Sequence, residues 1–435
     1  MLRMPALLLF VLLLIALPAR AVPHELALWH ASGGPAGGAL EKLVARFNGA
    51  QTAYAVSLVR KNDAELAPDA KGAGSLQTER PALVLLDEAR AGAAVESPLL
   101  IRPLWQVLGS AGVAFVRARA LPAMAGRYLD AGGHLLAWPL GVATPVLYAN
   151  KALLRRAGLD PEVLPRTWYE MPKFLGALYE QGVACPYTTA FPAWVQMENL
   201  SAWHNQAFAT RANGQAAGES KLSFNSMLMI RHVAMLASWA KARYFVYAGR
   251  HDEAERRFAR GECALLTSAS SSSGPLREAL GADLAVAGLP YYDDFPEAPQ
   301  NTLSGGSALW AVAGKSQNDY RGVAMFVNFL SSAPVQAEWQ QLTGFLPLSR
   351  EAHEINRKSG WYQEHAGQET AFSQLVAKPA REHSRGIRIA QLLQIRDIID
   401  DELEAAWSFA KMPKEALDAA VERGNRLLKG VARPR

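Results

Sequence analysis

The residues best placed to do chemistry are a carboxylate and a run of serines. Glu88 follows Asp87 directly after the unbroken apolar run Pro81–Leu86, which reads as a strand buried on both faces of a sheet. Open α/β sheets place their ligands at the carboxyl ends of such strands, and a carboxylate there can accept hydrogen bonds from two adjacent hydroxyls of a polyol. The simpler reading is a solvated loop acid. Ser268–Ser273 runs into Gly274 and Pro275, a pattern that opens a helix. Hydroxyls and unpaired N–H groups then gather at the positive end of the helix dipole and suit an anion, with ordinary helix capping as the plainer alternative. Gly33, Gly34, Gly37 and Gly38 lie where a phosphate loop would, between a strand and a helix, but they lack the Gly-Lys-Ser/Thr end of a P-loop and read as a flexible turn.

Other chemistries are absent from the sequence. There is no Gly-x-Ser-x-Gly, His-Glu-x-x-His or Cys-x-x-Cys, and none of the nine histidines lies three or four residues from another. No catalytic residue, metal or cofactor is therefore expected. Two readings stand for Cys185 and Cys263: a disulfide, or two small buried side chains. Eleven tryptophans would fit stacking against sugars or polyols, although most must be core.

These residues need elements to position them. Glu25–Trp29 reads as a strand, and Leu40, Leu43, Val44 and Phe47 follow at the i, i+3, i+4, i+7 spacing of one helical face. Pro145–Tyr148, Ala264–Leu266, Leu284–Leu289 and Ala308–Val312 are further short apolar strands. Thr167-Trp168-Tyr169-Glu170 has the form of a capping box ahead of a helix with Met171, Phe174, Leu175 and Leu178 on its apolar face, closed by Gly182. Val323, Phe326, Val327 and Leu330 mark another helix, and Pro413 opens a last one. Such alternation predicts an α/β fold with mainly parallel sheets.

Arg3, the apolar stretch Ala6–Leu17 and Ala19-Arg20-Ala21 form a secretion signal cleaved near Ala21. Twelve residues span only about 18 Å as a helix, short of a hydrocarbon core of about 30 Å. Removing residues 1–21 from 435 leaves 414, more than one core usually supports, so two lobes are expected. The removal deletes Arg3 and Arg20 and takes the formal charge from +5 to +3. So mild and scattered an excess implies neither nucleic acid nor a membrane surface as partner.

Longer stretches carry a family likeness. Thr144-Pro-Val-Leu-Tyr-Ala-Asn-Lys151, Trp194-Val-Gln-Met-Glu-Asn-Leu-Ser-Ala-Trp203, Gly305-Gly-Ser-Ala-Leu-Trp310, Thr343-Gly-Phe-Leu-Pro347 and Gln394-Ile-Arg396 resemble the periplasmic solute-binding proteins of ABC importers, family 1, and within it the members that bind glycerol phosphate. The resemblance implies two α/β lobes with a ligand cleft between them. It places residues 22–140 and 290–330 in an N-terminal lobe and 144–286 and 333–435 in a C-terminal lobe, with crossings near 139–145, 286–290 and 331–334. It also implies a periplasmic monomer that closes on sn-glycerol 3-phosphate or a glycerophosphodiester and delivers it to permease subunits.

By the same likeness Glu88 falls on the acid that meets the glycerol hydroxyls, Arg396 on the phosphate arginine, Trp168 on a cleft tryptophan, Gly306 on a close backbone approach and Ser270 on a serine contact. Three positions depart from the pattern. Ala64, Ala143 and Phe345 stand where those relatives carry a tyrosine, a serine and a second tyrosine, while Arg60 and Lys61 lie near the first of them as replacement donors. The expected ligand is accordingly one with fewer phosphate oxygens to satisfy. The alternatives are a neutral sugar or oligosaccharide on the same fold, with Arg396 structural, an exported hydrolase, and a sensor read by a receptor.

Overall fold

The computed structural model describes residues 22–66, 76, 79–87, 100–112, 128–130 and 132–429; residues 1–21, expected to be a secretion signal, and Glu88 lie outside them, as does the side chain of Ala64. The first sheet begins with β1 (His24–His30), α1 (Gly34–Ala50), β2 (Tyr54–Arg60), the short α2 (Asp63–Leu66), β3 (Leu83–Asp87), β4 (Ile101–Arg102) and β5 (Trp138–Pro139). Leu40, Leu43, Val44 and Phe47 are buried together on α1, as their spacing predicts. Each contributes about 1.5–3 kcal/mol by leaving water. β3 buries Leu83 to Leu86 and ends at the exposed Asp87.

The second sheet holds β6 (Pro145–Asn150), β7 (Cys185–Thr189), β8 (Cys263–Ala269) and β9 (Leu284–Ala287) in the order β7-β8-β6-β9. Its helices include α3 (Met171–Glu180), α4 (Glu253–Ala259) and α5 (Ser273–Leu280). The capping box ahead of α3 forms: Glu170 N–H donates to Thr167 Oγ1 and Glu170 Oε2 accepts from the backbone of Arg166. The chain then returns to the first sheet as β10 (Ser307–Val312), giving the order β2-β1-β3-β10-β4 with β5 also on β10.

Both sheets are mixed, which corrects the expectation of mainly parallel pairing. β1 runs parallel to β2 and β3, and β7 to β8, but β10 is antiparallel to β3, β4 and β5, and β6 to β8 and β9. An unbroken apolar run reports burial on both faces, not direction. β6 and β10 are the strands that enter each sheet from the other, so they arrive reversed.

Cys185 and Cys263 are register partners on β7 and β8 and form a disulfide. It closes a loop across 78 residues of sequence, which restricts the unfolded chain. Replacing both cysteines by serine is expected to lower unfolding free energy by about 2–5 kcal/mol, read as a fall in the denaturant midpoint that reducing agent reproduces in the parent protein.

After β10, α6 (Gln317–Leu330) opens on a Ser316/Asp319 capping box and packs on β1. α7 (Ala333–Thr343) packs on α1, and its Trp339 Nε1 donates to Leu140 O at 2.7 Å. Ala366–Val376 lies against β9 and β6, while α8 (Leu392–Trp407) and α9 (Pro413–Lys429) pack on each other and on Met227–Lys241 beside the second sheet.

Candidate ligand cleft

Three connecting segments meet between the sheets. Leu140 and Gly141 N–H both donate to Ser307 O at 2.9 and 2.8 Å, Ala143 bridges Gly305, and Leu346 N–H donates to Val142 O at 2.7 Å. Residues 140–144, 303–307 and 344–348 are thereby stitched into one crossing.

Glycine is required in the middle of it. Gly306 has φ +116, and a Cβ there would lie 1.6 Å from Gly141 O. Its own carbonyl accepts from Tyr128 Oη at 2.8 Å. The close approach expected at Gly306 is thus made to the backbone of Gly141. At Gly305 a Cβ would lie 2.7 Å from Trp194 Cζ2.

On the first-sheet side of the crossing opens a cavity of about 200 Å³ lined by Ala31, Ser32, Leu66, Leu85, Leu86, Asp87 and Ser307. It sits at the carboxyl ends of β1 and β3. Because β10 is antiparallel, its first residue, Ser307, pairs with the last of β3, Asp87. Glu88 is the next residue in the chain.

Ser270, Ala143 and Phe345 gather at the same crossing. Ser270 N–H donates to Thr144 O at 2.8 Å, and its Oγ accepts from Thr144 N–H at 3.2 Å. Ala143 is buried next to it. The Phe345 ring stacks on Trp339, with centroids 6.2 Å apart and 14° between planes, and its Cζ lies 3.4 Å from the point a Cβ on Gly141 would occupy.

Trp168 is not with them. It is 1% exposed within the second-sheet core, ringed by His232, Tyr187, Trp239 and Tyr292, with the His232 ring 4.8 Å away. Its backbone N–H is tied to Tyr291 O, and the indole packs into that core instead of lining the cavity. The tryptophan of the second-sheet side that meets the crossing is Trp194, at Gly305.

The serine run is also differently employed. Ser268 and Ser272 Oγ both donate to Glu255 of α4, the latter at 2.6 Å. The anion beside the start of α5 is therefore the protein's own carboxylate. Burial pushes the Glu255 pKa up, and the two serine hydroxyls oppose the shift. Lys61 is engaged as well: its Nζ lies 4.4 Å from the Trp29 ring centroid and 3.3 Å from Glu79 Oε2, which leaves it poorly placed as a replacement donor. The Arg60 guanidinium sits over Gly33 at the start of α1, 3.0 Å from where a Cβ would be.

Arg396 projects from α8 and holds Glu198 with both arms of its fork, Nε to Oε1 at 2.6 Å and Nη2 to Oε2 at 2.9 Å. Glu198 belongs to the π-helix Ala193–Asn199, whose neighbouring residues Trp194 and Asn199 touch the crossing at Gly305 and Leu303. One turn along α8, Asp400 accepts the Ala193 N–H at 3.0 Å. Burial raises its pKa to about 7, against the pull of that N–H and of Arg250 and Arg396.

The same π-helix carries a buried polar network. Gln196 Nε2 donates to Tyr187 Oη, Thr189 Oγ1 and Thr267 Oγ1, and Gln196 Oε1 faces His232 Nε2 at 2.9 Å. Burial pushes His232 down to about 3 and His204 to about 4. A depressed folded-state pKa gives stability that is present above pH 6.5 and lost as pH falls toward those values. Asp400 acts in the opposite sense, its contribution being lost as pH rises toward 7. Two histidine protons against one carboxyl proton leave a net loss of stability on acidification from 6.5 toward 4, which the burial-lowered His30 and His353 reinforce and the raised Glu255 opposes. Urea titrations across that range test this, and His232→Gln should flatten the slope; an unchanged slope would contradict the assignment.

Residues 42–370 match the family of bacterial extracellular solute-binding proteins. The sn-glycerol-3-phosphate-binding periplasmic protein UgpB of Salmonella paratyphi A is 38% identical over 402 residues, 92% of each chain. UgpB of Escherichia coli K12 is 37% identical over the same span. Among solved structures, UgpB from Mycobacterium tuberculosis in complex with glycerophosphocholine has a TM-score of 0.76 at 20% identity, covering 93% of this chain and 98% of that one. A cyclic alpha-maltosyl-1,6-maltose binding protein from Arthrobacter globiformis also reaches 0.76, at 18% identity and 94% and 100% coverage. With two sheets joined by crossings, and a match over most of its length, the chain belongs to the bacterial extracellular solute-binding protein family.

Proposed function

We propose that this protein is the extracytoplasmic binding component of an ABC importer, exported by a signal cleaved near Ala21, which captures a glycerol-phosphate-type solute by closing two lobes on it and hands it to permease subunits. The observation that carries the reading is the 37–38% identity over 92% of the chain to sn-glycerol-3-phosphate-binding periplasmic proteins. The gathering of Ala143, Ser270, Gly306 and Phe345 at one crossing beside a cavity supports it. In this reading Glu88 meets the glycerol hydroxyls and Arg396, oriented by Glu198, faces the anionic group. One lobe is built on each sheet. The burial of Tyr292 in the second-sheet core and the packing of α7 on α1 support crossings at 303–307 and 344–348 in place of the 286–290 and 331–334 expected from the sequence.

Ala64, Ala143 and Phe345 offer no side-chain hydroxyl. A lost hydrogen bond costs roughly 1 kcal/mol, so three weaken a phosphomonoester by about two orders of magnitude. A phosphodiester, with one charge and fewer oxygens to satisfy, loses less. Calorimetry with glycerol 3-phosphate and glycerophosphocholine side by side is expected to give the tighter binding for the diester. Tighter binding of the monoester would overturn that order, and saturable heat with a neutral oligosaccharide alone would overturn the ligand class.

A further inference from the structure

Among the described residues, the cavity at the strand ends is lined by apolar side chains and by Ser32, Asp87 and Ser307. Neither serine hydroxyl meets a hydrogen-bond partner among the described residues, so in this conformation both are available to whatever fills the cavity. Ser307 is fixed on three sides. Its carbonyl takes two N–H groups from Leu140 and Gly141, it is the register partner of Asp87, and it follows Gly306, where only glycine fits. Its Oγ lies 2.6 Å from the point a Cβ on Gly141 would occupy, and Phe345 Cζ lies 3.4 Å from that same point. Cζ is the atom that would carry the hydroxyl of a tyrosine.

The geometry points to Ser307 as a ligand-binding, specificity-determining residue that supplies a hydroxyl where Phe345 has none, with Ser32, just past the end of β1, as the second donor. Together with the Asp87 carboxylate they form a subsite for a group with two or more hydroxyls, the chemistry of a glycerol or sugar moiety. Serine hydroxyls donate and accept, so they pair with alcohols more readily than with a phosphate dianion, for which a guanidinium or N–H is the stronger partner.

This inference rests on the glycerophosphate reading above, and the test separates the two. Calorimetry with glycerophosphocholine and with glycerol 3-phosphate is run on the parent protein, Ser307→Ala, Ser32→Ala and the double variant Ser307→Ala/Phe345→Tyr, with thermal unfolding as the check on folding. The expected result is a five- to tenfold weakening in each serine variant at unchanged unfolding temperature, about the loss of one hydrogen bond, with affinity recovered in the double variant. Parent-like affinity in Ser307→Ala overturns the inference and leaves the proposed function standing. Weakening without recovery in the double variant overturns the exchange between Ser307 and Phe345. No binding of either compound to the parent protein overturns the glycerophosphate reading, and the subsite with it.

Discussion

Gly306→Ala is expected to leave little ligand-competent protein. The added Cβ would meet Gly141 O at 1.6 Å and its carbonyl carbon at 2.8 Å. Those are backbone atoms, so no flexible side chain can yield. Relief requires pulling residues 303–307 away from 140–144, which breaks the Ala143–Gly305 bridge and the two bonds to Ser307 O. A φ of +116 adds strain for any L side chain. The loss should reach about 3–5 kcal/mol, the range of the most damaging single substitutions, and any protein that still folds should bind at least a hundredfold more weakly because the crossing positions both halves of the cleft. Gly274→Ala is the control: nothing lies within 4 Å of its added Cβ, and it sits in the first turn of α5. Denaturant midpoints and calorimetry on the two variants check the contrast.

Arg396→Ala is the second large effect. Glu198 is 3% exposed at its side chain and takes both arms of the guanidinium. Removing the arginine leaves a buried carboxylate without its cation, at a cost of about 3–5 kcal/mol. That alone would not distinguish an anion-binding arginine from a structural one. The pair Arg396→Met/Glu198→Leu does. Replacing both charges with apolar groups of similar size should recover most of the stability, yet glycerophosphate affinity should remain at least a hundredfold reduced if Arg396 faces the ligand's anion. Recovery of both would make Arg396 purely structural and favour a neutral ligand.

Much of the architecture was legible from periodicity. Leu40, Leu43, Val44 and Phe47 specify one buried helix face wherever they occur, and the runs at 83–86 and 308–312 are apolar enough that only a sheet interior accommodates them. Strand direction was not legible, because burial on both faces is the same for a parallel and an antiparallel neighbour. β7 was missed since Cys185-Pro-Tyr-Thr-Thr189 has no apolar run; its threonines are buried by hydrogen bonds to Gln196, Thr267 and Val246, partners far away in sequence.

The site divides in the same way. Gly306 was expected as a close approach from the family resemblance, and the structure shows one to Gly141 O. The partners of Ser268 and Ser272 were not, since the acid they hold, Glu255, lies on a different element. Nor was the partner of Arg396, which is 198 residues away in sequence. The burial of Trp168 in the second-sheet core was not readable either: a tryptophan after a capping threonine has no sequence mark that separates a cleft wall from a core. Ser307 passed unnoticed behind the two glycines, and only the antiparallel return of β10 brings it to the end of β3.

If two halves joined at this crossing hold a glycerol-derived anion, native mass spectrometry of the protein, purified without denaturation, will detect it bound. The expected result is a one-to-one adduct whose released ligand contains glycerol and one phosphorus, and whose occupancy falls in Arg396→Met/Glu198→Leu. An adduct composed only of neutral hexose units, or one equally populated in that double variant, would contradict it.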